Sequence, residues 1–193
     1  DILNTEVYGG PILSTWFDRP LSFSGRVFVE GDSAFKPKKY FINYDKDIFI
    51  IPSLCIHQNR GVNDGMAINA QKDTLPLVTI TDEKEKFSLK NLLAKQLKVK
   101  EDKILSYDLN LYSREKGCLL GANEEFISVG RLDNLAALHA GLMSLVDNKD
   151  KKNTCVVVGY DNEEIGSNSI QGADSPTLKN ILERISNAMK LSF

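Results

Sequence analysis

The apolar run Thr154-Cys155-Val156-Val157-Val158-Gly159-Tyr160 leads directly into Asp161-Asn162-Glu163-Glu164-Ile165-Gly166-Ser167. A continuous β-branched run of this length reads as a strand buried on both sheet faces. Such a strand should not end in acids unless something meets their charge. Buried carboxylates without partners cost several kcal/mol. Basic side chains or metal ions are the two ways to offset that cost. No Lys or Arg stands between Asn153 and Lys179, which tilts the choice toward metal.

A second acidic site precedes a helical pattern. Gly130-Arg131-Leu132-Asp133-Asn134 is followed by Leu135, Leu138, Leu142, Leu145 and Val146 at helical spacing. Asp133 therefore stands at the mouth of a helix. A carboxylate there can cap free N–H groups, which is its plain structural role. Set beside Glu163 and Glu164 it suggests more. A loop-to-helix Asp, a helix and a strand ending in Glu-Glu form a βα-type unit. All three carboxylates then fall near the carboxyl edge of one sheet, where open α/β sheets bind ligands.

Strand signals dominate residues 1–117. Leu21 to Glu30 alternates for part of its length, and Tyr40–Asn43 and Ile48–Pro52 flank an Asp45-Lys46-Asp47 turn. Ile104–Tyr112 alternates cleanly and should be half-buried. A helix is predicted from Ser88, a fair N-cap, to about Leu97, with Leu89, Leu92, Leu93 and Leu97 on one face. Lys84-Glu85-Lys86 reads as a solvated turn, and residues 61–80 as a long loop. Residues 118–193 hold a strand or turn near Glu125–Val129, the helix from Leu135, the Val-rich strand and a final helix after Asp174-Ser175-Pro176. Pro176 suits a first helical turn and Ser175 or Asp174 can cap it. Leu178, Ile181, Leu182, Ile185 and Met189 form the apolar face.

Composition narrows the functional classes. The net charge of −2, with signs interspersed, leaves no electrostatic footprint for nucleic acid. No apolar run approaches a membrane span and no signal-peptide pattern opens the chain, so a cytoplasmic protein is expected. Cys55, Cys118 and Cys155 are widely spaced and read as reduced, mostly buried thiols.

Four motifs, in order along nearly the whole chain, together resemble one family. They are Tyr8-Gly9-Gly10-Pro11 through Trp16-Phe17-Asp18-Arg19-Pro20-Leu21, Ile56-His57-Gln58-Asn59-Arg60-Gly61-Val62-Asn63, Gly130–Asn134, and Asp161–Ser167 with Gln171-Gly172-Ala173. The chain is similar to the aspartyl aminopeptidase (M18) family of two-zinc peptidases. The resemblance implies an α/β fold in which residues 1–117 are a β-rich inserted dimerisation or lid domain. Residues 118–193 would be the central part of a doubly wound, zinc-peptidase-like catalytic domain. It implies that Asp133 bridges two zinc ions, that Glu164 is a terminal ligand and that Glu163 is the general base. Glu163 and Glu164 can hold these different roles only if the strand has ended before them, since adjacent strand residues face opposite sides. It further implies that His57 reaches from one subunit into its neighbour's active site.

The same resemblance places a further His ligand upstream, and an Asp and a His downstream, of this chain. The chain then reads as a fragment that is inactive by itself. His57 and His139 match no family metal ligand; His139 reads as an ordinary helix residue. Trp16 and Phe17 fit either a core or a subunit interface. For His57 the alternative is a hydrogen-bonded loop residue. Expected partners are peptide substrates, acidic at the N-terminus if the family name holds, and further copies of the chain as a dimer or an assembly of dimers. The rival function is a non-catalytic assembly fragment whose carboxylates are only caps and surface acids.

Overall fold

The computed structural model describes residues 1–81, 86–149 and 152–191. Two compact units form: Asp1–Val7 with Pro11–Lys116, and Tyr8–Gly10 with Gly117–Phe193. Of the expected turn at Lys84-Glu85-Lys86, Lys84 and Glu85 lie outside the described residues.

The first unit is built on strand β1 (Leu21–Val29), which pairs antiparallel with β2 (Lys38–Asn43) on one side and β3 (Ile104–Ser113) on the other. Register is clear: Val27 faces Tyr40 in β2 and Tyr107 in β3. Leu21, Phe23, Val27 and Val29 point to one side and are buried. That is the period-2 pattern of a strand with one face on the core. Gly25 interrupts the apolar series because a Cβ there would run into the Asp108 carbonyl. Each large side chain fully buried in this way contributes about 1.5–3 kcal/mol.

Helix α1 (Leu89–Leu97) closes the core from above the sheet with Leu93 and Ala94. Leu89, Leu92 and Leu97 pack beside them, the face expected from their spacing. The Ser88 hydroxyl accepts a hydrogen bond from Asn91 N–H at 3.0 Å, so the expected N-cap is made. Trp16 and Phe17 are half-buried against the same core. Phe23 stacks on Tyr44 with ring centroids 5.0 Å apart.

Residues 48–52 depart from expectation. Phe49 and Ile51 are buried while Ile50 is exposed, so the strand alternation survives. No ladder forms, because each residue meets a different partner: Phe49 pairs with Leu21, Ile50 with Leu77 and Ile51 with Phe17. Pro52 then offers no N–H to continue. The turn before it is held from outside. Arg114 donates from Nη1 to Asp47 Oδ1 at 2.8 Å and from Nη2 to Asp45 Oδ1 at 3.0 Å. These two carboxylates, Asp47 first, raise the Arg114 pKa above its usual value. β3 is less buried than its alternation implied. Ile104 is buried in the core, but Leu105 and Tyr107 are exposed, and Leu109 and Leu111 reach only the core edge.

The second unit holds a short hairpin, β4 (Cys118–Leu120) with β5 (Phe126–Ser128), then helix α2 (Leu132–Asp147) and helix α3 (Thr177–Ala188). Ser175 Oγ accepts from Thr177 N–H at 3.4 Å at the start of α3. The Val-rich segment 154–160 is not the buried strand its sequence suggested. It is unpaired among the described residues, and Val156, Val157 and Val158 are exposed. The doubly wound sheet expected of residues 118–193 is therefore absent among the described residues, and the buried apolar core lies wholly in the first unit. The reason is physical: a strand exists only where a neighbour presents a matching row of N–H and C=O groups, and none of the described residues does so here. The three cysteines are free, as expected, but exposed rather than buried. Cys55 lies on a loop, Cys118 opens the hairpin and Cys155 lies on the uncovered segment.

Candidate functional site

Helix α2 and segment 154–160 lie against each other through two close approaches. A Cβ at Gly159 would stand 3.0 Å from Leu138 Cδ1, and one at Gly141 would stand 3.2 Å from Val157 Cγ1. Advancing from Leu138 to Gly141 along the helix means retreating from Gly159 to Val157 along the segment. The two elements therefore run antiparallel. The start of α2, which carries Asp133, and the end of the segment, which leads into Glu163 and Glu164, fall at the same end of the pair.

At that end the backbone turns sharply. Asn162 adopts the left-handed conformation at φ 63°, and Glu163–Ile165 form a single 3-10 turn. Gly166 closes it, donating its N–H to the Glu163 carbonyl at 2.9 Å with φ 95°. The extended geometry has ended before the two glutamates, so they need not face opposite ways. Asp161 holds the turn rather than joining the acids. Its Oδ1 accepts from Asn162 N–H at 2.8 Å, and its N–H donates to the Gln171 carbonyl at 3.3 Å.

Asp133 is exposed and has non-helical backbone angles, the regular helix starting after it. The Asp133–Asn134 peptide is cis. Its carboxylate accepts no hydrogen bond among the described residues, and α2 has no side-chain cap. The capping role open to Asp133 is thus not taken up. Glu163 likewise has no side-chain partner among the described residues, whereas Glu164 Oε2 accepts from Gly10 N–H at 3.3 Å. The described residues contain no group of three His, Cys, Asp or Glu side chains able to hold a metal ion.

His57 belongs to the first unit, on an exposed turn where the Cys55 carbonyl accepts from Gln58 N–H at 2.9 Å and Asn59 N–H at 3.1 Å. Its imidazole makes no hydrogen bond among the described residues, so it is not tied down as a loop residue. His139 is an exposed residue of α2, as expected. Sequence reasoning missed the contacts that Tyr8 and Gly10 make with Asn162 and Glu164. The signal was the Gly-Gly pair, which marks close backbone approach.

Comparison with known proteins fixes the class. The family model described as "Aminopeptidase I zinc metalloprotease (M18)" matches residues 2–192. A "Probable M18 family aminopeptidase 2" from Clostridium acetobutylicum is 53% identical over 186 residues, covering 95% of this chain and 43% of the relative. Among solved structures, "Cryo-EM structure of the Ape4 and Nbr1 complex" superposes with a TM-score of 0.84 at 34% identity, over 96% of this chain and 40% of that one. "Structure of S. cerevesiae mApe1 dodecamer" gives a TM-score of 0.70 at 27% identity, over 97% and 43%. The chain belongs to the M18 aminopeptidase family, and it spans less than half the length of these relatives. No helix among the described residues is long and apolar enough to cross a membrane.

Proposed function

We propose that the complete protein is a zinc-dependent aminopeptidase, and that Asp133, Glu163 and Glu164 belong to its active site. The supporting observation is the antiparallel packing of α2 on segment 154–160, which brings the start of the helix and the Glu163-Glu164 turn to one end. The family's description as zinc metalloproteases supports the metal. Asp133 and Glu164 suit it as ligands: Asp133 has no competing hydrogen bond among the described residues, and Glu164 is held through one oxygen, Oε2. They do not close a zinc site by themselves, since zinc takes about four donors.

Bound zinc supplies electrostatic polarisation of the peptide carbonyl and of the attacking water. Glu163, left out of the ligand set, takes the proton from that water and delivers it to the leaving amine. His57, contributed by a second subunit, steadies the negative charge that develops on the carbonyl oxygen. Residues 1–117 act as the dimerisation or lid domain and residues 118–193 as part of the catalytic domain. A homo-oligomer is supported by the dodecameric relative. The proposed setting is the cytoplasm, and peptides with acidic N-terminal residues are the first substrates to assay. Metal analysis of the complete protein and of its Asp133→Asn variant tests the reading; two equivalents of zinc retained by the variant would refute the assignment.

A further inference from the structure

Tyr8-Gly9-Gly10 lies in the second unit, with Glu164, although 154 residues separate Gly10 from Glu164. Gly10 N–H donates to Glu164 Oε2 at 3.3 Å. The Tyr8 hydroxyl donates to Asn162 Oδ1 at 3.1 Å, and Asn162 Nδ2 donates to Gln171 Oε1 at 3.3 Å. Between the two donors, Gly9 has φ +70°, and a Cβ there would lie 2.6 Å from Glu164 Cβ and 2.7 Å from its Oε2. Both the left-handed backbone and the missing space demand glycine. The segment packs directly against the Glu164 side chain, with no room for a Cβ at Gly9.

We propose that Tyr8–Gly10 is a positioning strap for Glu164. Gly10 N–H holds one carboxylate oxygen and so fixes the direction in which the other is presented. Tyr8, acting through Asn162, holds the turn that carries both glutamates. This deepens the reading of Glu164 as a zinc ligand and rests on it. Hydrogen bonds to a ligating carboxylate orient it before the metal arrives, and losing such outer partners typically weakens metal affinity by about 10–100-fold. None of the three strap residues is assigned to touch substrate or metal.

The test uses the complete protein, with zinc itself as the probe. Zinc affinity is read by competition with a chromogenic chelator, alongside kcat, KM and the melting temperature of the zinc-stripped protein. Tyr8→Phe keeps the ring and removes one hydrogen bond; it should weaken zinc binding by about 10-fold. Its zinc-free melting temperature and KM should stay at wild-type values. Gly9→Ala should weaken zinc binding by about 100-fold. If Gly9→Ala fails to fold, Tyr8→Phe decides alone. Unchanged zinc affinity in Tyr8→Phe overturns the strap, whether or not its zinc-free melting temperature falls. Glu164→Gln separates the two levels of the argument. Loss of zinc there with none in Tyr8→Phe removes the strap and leaves the ligand; wild-type zinc affinity in Glu164→Gln removes both.

Discussion

Asp18 Oδ1 accepts a hydrogen bond from Ser53 N–H at 2.8 Å, across 35 residues of chain. Asp18 has a left-handed backbone at φ 56°, and its own N–H donates to the Ile51 carbonyl at 2.9 Å. One residue thus fastens the Trp16-Phe17 segment to the stretch that buries Phe49 and Ile51.

The bonds from Ser53 hold the Asp18 carboxyl below its ordinary pKa of 3.8. A carboxyl that is more acidic in the folded state than in the unfolded one adds stability above the unfolded value. That stability drains as pH falls below 3.8 and through the lower folded value. Asp18→Asn keeps an acceptor and tolerates the left-handed backbone, yet cannot titrate. Wild type should lose its advantage over Asp18→Asn as unfolding is measured at successively lower pH across this window. A stability difference that stays constant with pH would show that the Ser53 contact does not discriminate between the charge states.

Leu93 is fully buried on α1, whereas Leu119 in β4 is 56% exposed. In the 193-residue chain Leu93→Ala should cost about 2–5 kcal/mol, and Leu119→Ala within about 0.5 kcal/mol. Urea unfolding followed by circular dichroism checks both. Equal losses would mean that the second unit has a core of its own.

Local chemistry is what could be read in advance. The alternation of β1 and the Ser88 cap depend on residues within a few positions of each other, and both formed as expected. Burial of segment 154–160 depends on neighbouring strands, which none of the described residues supplies, so three consecutive valines specified extended backbone but not a partner. The Glu163-Glu164 turn was legible because Gly166 follows it and supplies the positive φ that closes it. The tie between Gly10 and Glu164 was legible only in part: Gly9-Gly10 marks a close backbone approach, but a main-chain N–H carries no sign of which distant side chain it meets.

Asp133 carries no competing hydrogen bond among the described residues, so its substitution by Asn should disturb little besides metal. In the complete protein Asp133→Asn should lose zinc and peptidase activity together while its melting temperature, measured on zinc-free samples, matches wild type. Loss of activity with zinc fully retained would make Asp133 a substrate contact instead of a ligand.

Glu163 and Glu164 are neighbours with different surroundings, and only Glu164 is hydrogen-bonded by Gly10. Glu163→Gln should leave zinc content unchanged while kcat falls by about 10²–10⁴, the range for a lost general base. A collapse of zinc content in this variant would reverse the two assignments.

His57 gives the sharpest test of a shared site. It is exposed on its turn and its imidazole has no hydrogen-bond partner among the described residues. A side chain left unpaired in this way is available to a neighbouring subunit. If it completes that neighbour's site, His57→Ala and Glu163→Gln protomers should each be inactive as pure assemblies. Co-expressed, they form hybrid interfaces in which some sites have an intact Glu163 from one chain and an intact His57 from the other. Activity should then reappear without any change in zinc content. Co-expression is preferable to mixing, because mixing depends on subunit exchange after assembly. His57→Ala protomers with wild-type activity by themselves would remove the role directly. Inactive hybrids, with mixed composition verified by mass spectrometry, would place His57 and Glu163 in the same protomer's site.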